Sequence, residues 1–78
     1  MTVSAYILIQ AEVGRAAEIT RRVRTIEGIE EANDVTGPYD VIAKASAPSV
    51  DHLGRLVVGD VQQIEGITRT VTCPIVNL

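Results

Sequence analysis

Ile26-Glu27-Gly28-Ile29 and Ile64-Glu65-Gly66-Ile67 are one tetrapeptide met twice in a chain of 78 residues. Each copy follows a helical pattern and precedes an alternating run. Upstream of each helical pattern lies another alternating run. The chain therefore reads as two β-α-β halves in tandem, and each glycine falls where a helix needs a left-handed stop.

The strands and helices follow from the spacing of apolar residues. Val3, Ala5, Ile7 and Ile9 alternate with Ser4, Tyr6, Leu8 and Gln10. Both sets hold apolar residues, which suits a central strand covered on two faces. Ala16, Ile19, Val23 and Ile26 recur at helical spacing, with Arg and Glu opposite. Ile29 to Thr36 is a strand diluted by charges, as an edge strand is. Gly37-Pro38 signals a turn, and Asp40 to Ala45 resumes the strand. Ser49 can cap a second helix, with Asp51 in its first turn. Val50, Leu53, Val57, Val61 and Ile64 form the expected buried stripe. Gly54 and Gly59 inside it point to close approach by the sheet or by a neighbouring subunit. The last strand starts at Ile67. Strict alternation sends Ile67, Val71, Cys73 and Ile75 to the helix side and Thr68, Thr70, Thr72 and Val76 to the other. Pro74 marks that strand as an edge or as the end of regular pairing.

The order β-α-β-β-α-β, with right-handed crossovers, predicts the α+β ferredoxin-like split fold: a four-stranded antiparallel sheet with two helices on one face. The whole chain, 1–78, is one domain. The opposite sheet face then carries Tyr6, Leu8, Thr68, Thr70, Thr72 and Val76 with no cover of its own. A chain this short buries only about 60% of its unfolded surface, yet 46% of its residues are hydrophobic. The expectation is a homodimer formed by two such faces around a two-fold axis.

Composition narrows the function. The net charge is −3 and the sequence pI is about 4.9. Arg15, Arg21, Arg22 and Arg24 share their helix region with Glu12, Glu18 and Glu27, so they read as a solvated face and not as a phosphate-binding stripe. Direct contact with nucleic acid is not expected. Cys73 is the only cysteine, which excludes an intrachain disulfide and a cysteine-based metal cluster. No apolar run reaches the ~18 residues of a membrane span, and no secretory leader is visible, so the expected location is cytoplasmic. His52 has no evident catalytic partner, and Cys73 reads as a buried small hydrophobe. Glu30 and Glu31 face opposite sides of a strand. No cofactor, metal or catalytic residue is expected, and the chain does not read as an enzyme.

One segment exceeds what a turn requires. In Asp34-Val35-Thr36-Gly37-Pro38-Tyr39-Asp40, the glycine and proline serve geometry, but nothing in a turn calls for Tyr39 and Asp40. Backbone N–H groups of a glycine turn can hold a carboxylate. Asp40 can accept from an ammonium group, and Tyr39 offers a flat wall. Carboxylate and ammonium together describe a free amino acid.

Thr-Gly-Pro-Tyr-Asp-Val-Ile, with Gly-Ile-Thr-Arg-Thr-Val-Thr-Cys-Pro-Ile-Val near the C-terminus, resembles the effector (RAM) domain of the Lrp/AsnC regulators of transcription. That domain has a Gly-x-Tyr-Asp hairpin and a last strand reading Arg-Thr-x-Thr. The likeness spans essentially the whole chain. It implies a bacterial regulatory module with face-to-face dimers, octameric or decameric rings of dimers, and small amino acids bound at subunit contacts. By position, Thr36, Gly37, Pro38, Tyr39 and Asp40 match the effector hairpin, and Arg69, Thr70 and Thr72 the last-strand motif. The resemblance implies ligand binding by that hairpin with Thr70 and Thr72. Two departures stand out. The helix-turn-helix domain of full-length members is missing ahead of the first strand, which resembles a stand-alone effector module that could co-assemble with a full-length regulator. Pro38 also removes one N–H from the hairpin. The rival readings are a small dimeric α+β barrel enzyme using His52, Tyr6 or Tyr39, and a structural assembly unit with a vestigial site.

Overall fold

The computed structural model describes residues 2–77. Its elements run β1 (Val3–Ala11), α1 (Ala16–Val23), β2 (Ile29–Asp34), β3 (Val41–Ala47), α2 (Val50–Arg55) and β4 (Ile67–Pro74). A π-helical segment, Leu56–Val61, continues α2. The sheet is antiparallel in the order β2-β3-β1-β4, the ferredoxin-like arrangement read from the sequence.

The repeated tetrapeptide folds alike in both halves. Gly28 has φ 98 and Gly66 φ 99, the left-handed region that favours glycine. In each copy the second isoleucine N–H donates to the first isoleucine carbonyl, Ile29 to Ile26 at 3.2 Å and Ile67 to Ile64 at 3.4 Å. Each glycine carbonyl then accepts from the strand alongside, Gly28 from Ser46 N and Gly66 from Glu12 N, both at 2.8 Å. The tetrapeptide thus ends a helix and sets the entry of the next strand in one step.

The core lies between the sheet and the helices. Ala5, Ile7 and Ile9 of β1 meet Val41, Ala43, Ala45 and Ala47 of β3, covered by Ile19 and Val23 of α1 and by Leu53, Leu56, Val57 and Val61. The alanines of β3 leave room for the helices to sit close. Burying each large aliphatic side chain contributes about 1.5–3 kcal/mol. Thr20 is the one buried polar residue among those described, and its hydroxyl donates to Asp34 Oδ1. Ser49 caps α2, its hydroxyl accepting from His52 N at 3.1 Å.

Three expectations need correction. Val50 is 69% exposed and outside the buried stripe, while Leu56 is 5% exposed and inside it. Leu56 follows Leu53 by three residues, ordinary helical spacing, and Val50 lies in the first turn, so neither placement depends on the π segment that follows. The sheet is not what Gly54 and Gly59 accommodate, since a Cβ at either would meet nothing within 4 Å.

The third correction concerns β4. Ala11 pairs with Ile67, but Gln10 pairs with Arg69, so Thr68 is an extra residue in a β-bulge. Its hydroxyl donates to Gln10 O at 3.1 Å. One extra residue reverses the faces of everything beyond it. Ile67 stays on the helix side as expected. Thr70 pairs with Ile9 and Thr72 with Ile7, so both are on the helix side, not the open face. Val71 pairs with Leu8 and Cys73 with Tyr6, which puts both on the open face. Cys73 is accordingly exposed, not buried. β4 ends at Pro74, leaving Ile75 and Val76 beyond the strand at 38% and 74% exposure.

Candidate functional site

The hairpin connection is longer than a tight turn. β2 stops at Asp34 and β3 starts at Val41, so residues 35–40 form the loop. Val35 N donates to Asp40 O at 2.9 Å and closes it. Gly37 has φ 131 and open space around it. Thr36, Gly37 and Pro38 are exposed, whereas Tyr39 and Asp40 are half-buried.

Asp40 is fixed by the first strand. Its N–H donates to Ile9 O at 2.9 Å, and its Oδ2 accepts from Ala11 N at 2.8 Å. The Gln10 side-chain amide reaches Pro38 O at 3.4 Å. The carboxylate is therefore held in one orientation through Oδ2. Sequence reasoning missed this structural duty of Asp40, because it depends on a strand far away in the chain.

The last-strand motif sits at the same end of the sheet. Val41, Ile9 and Thr70 form one row across β3, β1 and β4. At the usual strand spacing, Thr70 lies two strands or roughly 10 Å from Val41. Thr72 is one row further in, beside Ile7. Thr70 faces the helix layer, where Gln62 Nε2 donates to its hydroxyl at 2.8 Å. The hairpin and Thr70 are thus brought to a common end, with Thr72 and Arg69 on opposite faces of the edge strand.

Three clefts among the described residues border the helices, and none of the three is lined by the hairpin, Thr70 or Thr72. One of about 530 Å³ is lined by Glu27, Ser46, His52, Arg55 and Asp60, among others. His52 belongs to that cleft, Tyr6 to the open sheet face and Tyr39 to the hairpin. The three residues an enzyme reading would need stand in three different places. Among the described residues, no group of three or more His, Cys, Asp or Glu could hold a metal ion. Among the described residues, no helix is long and apolar enough to cross a membrane.

The open face has an apolar centre and a polar rim. Tyr6 and Leu8 of β1 are joined by Ile42 of β3 and by Val71 and Cys73 of β4. Gln10, Asn33, Lys44 and Arg69 surround them. Ile42 could have been read from its alternation with Val41 and Ala43; Val71 and Cys73 could not, because the bulge hides their phase.

Fold, hairpin and last strand agree with one family. The family model of the Lrp/AsnC ligand-binding domain matches residues 4–77. The chain belongs to this family. An uncharacterised HTH-type transcriptional regulator of Pyrococcus horikoshii is 29% identical over 72 residues, covering 88% of this chain and 48% of that protein. The chain spans about half the length, or less, of the curated regulators it matches. A second kind of relative is the homocitrate synthase of Sulfurisphaera tokodaii, 28% identical over 54 residues, which are 12% of that enzyme. Both relatives are archaeal, whereas the resemblance had implied a bacterial setting.

Solved structures superpose closely on this chain. A protein of Thermus thermophilus aligns with TM-score 0.92 and 26% identity over 97% of this chain and 95% of that one. AsnC of E. coli aligns with TM-score 0.90 and 22% identity, over 97% of this chain and 52% of that one. A transcriptional regulator of Neisseria meningitidis, solved as an L-Met complex, aligns with TM-score 0.85 and 16% identity over 96% and 50%. The last two likenesses concern the fold alone.

Proposed function

We propose that this Lrp/AsnC domain senses a small free amino acid, bound between subunits at the hairpin of residues 36–40 with Thr70 and Thr72. The carrying observation is Asp40. Its Oδ2 is tied to Ala11 N at 2.8 Å, which fixes the carboxylate beside an exposed glycine turn at the end of the sheet. Oδ1 accepts the ligand ammonium group, and backbone N–H groups around Gly37 take the carboxylate. Tyr39 walls the side chain. The hairpin is open on a single chain, so a neighbouring copy supplies the remaining wall. The Neisseria neighbour, solved with L-Met, supports an amino acid as the class of ligand.

The open sheet faces pair two chains, and binding shifts the assembly or its contact with a full-length regulator. A ligand does this only through different affinity for the two states. The match to part of a homocitrate synthase supports a portable ligand-reading module and gives this chain no enzymatic step. The acidic composition supports regulation without DNA contact by this domain itself.

The test is a thermal-shift panel with the twenty amino acids at millimolar concentration. A ligand at ~100 times its Kd adds about 2.7 kcal/mol to the native state. One chemically related group of amino acids should raise Tm, and Asp40→Asn should abolish the rise. No shift with any of them would sink the sensor reading. It would favour the assembly-unit reading, for which the missing N–H of Pro38 is the specific support.

A further inference from the structure

The backbone donors of the hairpin can be accounted for one by one. Val35 N–H donates to Asp40 O, and Asp40 N–H donates to Ile9 O, both at 2.9 Å. Pro38 has no N–H. The N–H groups of Thr36, Gly37 and Tyr39 reach no backbone acceptor among the described residues. The described backbone N–H groups that donate to side chains are those of Ala11 and His52. Three donors of one loop are thus not used by the chain itself.

One of the three is aimed by a residue far away in the sequence. Gln10 Nε2 donates to Pro38 O at 3.4 Å. The Pro38–Tyr39 peptide is trans, since no peptide bond among the described residues is cis. In a trans peptide the carbonyl and the following N–H point in opposite directions. Holding Pro38 O toward Gln10 therefore turns Tyr39 N–H away from Gln10. The pyrrolidine ring fixes φ of Pro38, so the peptide's remaining freedom is chiefly a flip about its own axis. A flip would bring Tyr39 N–H toward Gln10 and break the bond to Pro38 O. Gln10 is a firm anchor for this choice. It is half-buried, it pairs with Arg69 across the sheet, and its own carbonyl accepts from the Thr68 hydroxyl at 3.1 Å.

We infer that Gln10 is a positioning residue of the amino-acid site proposed above: by holding Pro38 O it aims Tyr39 N–H at the α-carboxylate of the ligand. The inference rests on that site being an amino-acid site. Tyr39 N–H and the Asp40 carboxylate belong to neighbouring residues. They offer a donor and an acceptor to the two charged groups that an α-amino acid carries on one carbon. Pro38 then removes no donor that the site uses, and its ring stiffens the peptide that presents one. The chemical class of ligand follows: an amino acid with a free α-carboxylate, and not its amide. With the peptide flipped, Pro38 O would face the ligand instead. A carbonyl oxygen there repels a carboxylate but accepts from an amide NH2.

The test uses the full chain, with the twenty amino acids and their α-carboxamides as probes in thermal shift and titration calorimetry. A carboxamide keeps the ammonium group and the side chain and lacks only the charged carboxylate. The responding amino acid should bind wild type about tenfold more tightly than its carboxamide, because a hydrogen bond to a charged group is the stronger kind. Gln10→Met keeps the length of the side chain but cannot donate. It should weaken the amino acid by about tenfold and leave the carboxamide unchanged or tighter. Gln10→Ala should do the same, with circular dichroism and sedimentation velocity verifying fold and assembly. Equal weakening of both probes would mean that Gln10 merely supports the hairpin, and would overturn the inference. So would unchanged affinity for the amino acid in both variants. Either result in a wild type that responds to amino acids leaves the sensor reading standing, whereas a wild type that responds to none refutes both.

Discussion

Gly28→Ala and Gly66→Ala should differ in cost, although the two glycines hold equivalent places in a repeat. Both have φ near +100, so alanine at either carries a left-handed penalty of about 1–2 kcal/mol. The stiffening of the unfolded chain by alanine is common to both and cancels in the comparison. The surroundings are not alike. A Cβ at Gly28 would stand 2.6 Å from Leu56 Cδ1 and 3.0 Å from Ser46 O. Leu56 is 5% exposed and packed in the core, and Ser46 is a backbone neighbour hydrogen-bonded to Gly28 O at 2.8 Å. Neither gives way freely, which adds about 1–3 kcal/mol of overpacking. The atoms nearest a Cβ at Gly66 would all belong to the Arg15 side chain, at 3.3 Å and beyond. Gly28→Ala should therefore cost about 3 kcal/mol and Gly66→Ala about 1.5 kcal/mol. For a domain of this size those losses lower Tm by roughly 12–24 °C and 6–12 °C. Urea unfolding at one fixed chain concentration checks the difference, since association alters apparent stability. Equal losses, or a larger loss at Gly66, would refute the steric reasoning.

Other consequences are open to test. Asp40→Ala leaves Ala11 N without its charged acceptor and should cost about 1.5–3 kcal/mol in unfolding, while Asp40→Asn keeps an acceptor and should cost less than about 1 kcal/mol. Thr20→Val keeps the buried volume but loses the hydrogen bond to Asp34, so it should cost about 0.5–1.5 kcal/mol by urea denaturation. Tyr6→Glu puts a charge at the centre of the open sheet face and should yield monomers in sedimentation velocity. Cys73 pairs with Tyr6 on that face, so a thiol reagent should label it slowly in wild type and rapidly in Tyr6→Glu. Equal labelling rates would mean that the face is not covered.

Most of the fold was legible because it rests on local signals. The tetrapeptide glycines, the two helical stripes, the Ser49 cap and the diluted edge strand β2 each follow from residues a few positions apart. The largest error arose where one residue changes the phase. Thr68 bulges out of β4 and reverses the strand beyond it, a choice made by the pairing of its neighbours Ile67 and Arg69 with Ala11 and Gln10 across the sheet. In α2 the buried stripe starts at Leu53 and takes in Leu56, three residues later at ordinary helical spacing, while Val50 stays exposed. The bulge, by contrast, has no signature in composition or alternation. The candidate site was half legible: the hairpin residues declared themselves through Tyr39 and Asp40, which a turn does not need. The tie from Asp40 to Ala11 and the Gln62 bond to Thr70 are products of the tertiary fold.

The central claim is an amino-acid site completed between subunits. Calorimetric titration of the amino acid giving the largest thermal shift, into the wild-type assembly and into Tyr6→Glu, tests it most directly. The account predicts saturable binding of one ligand per chain to the assembly, and binding at least tenfold weaker to the separated chain. No binding of any amino acid, or equal affinity for the separated chain, would contradict it.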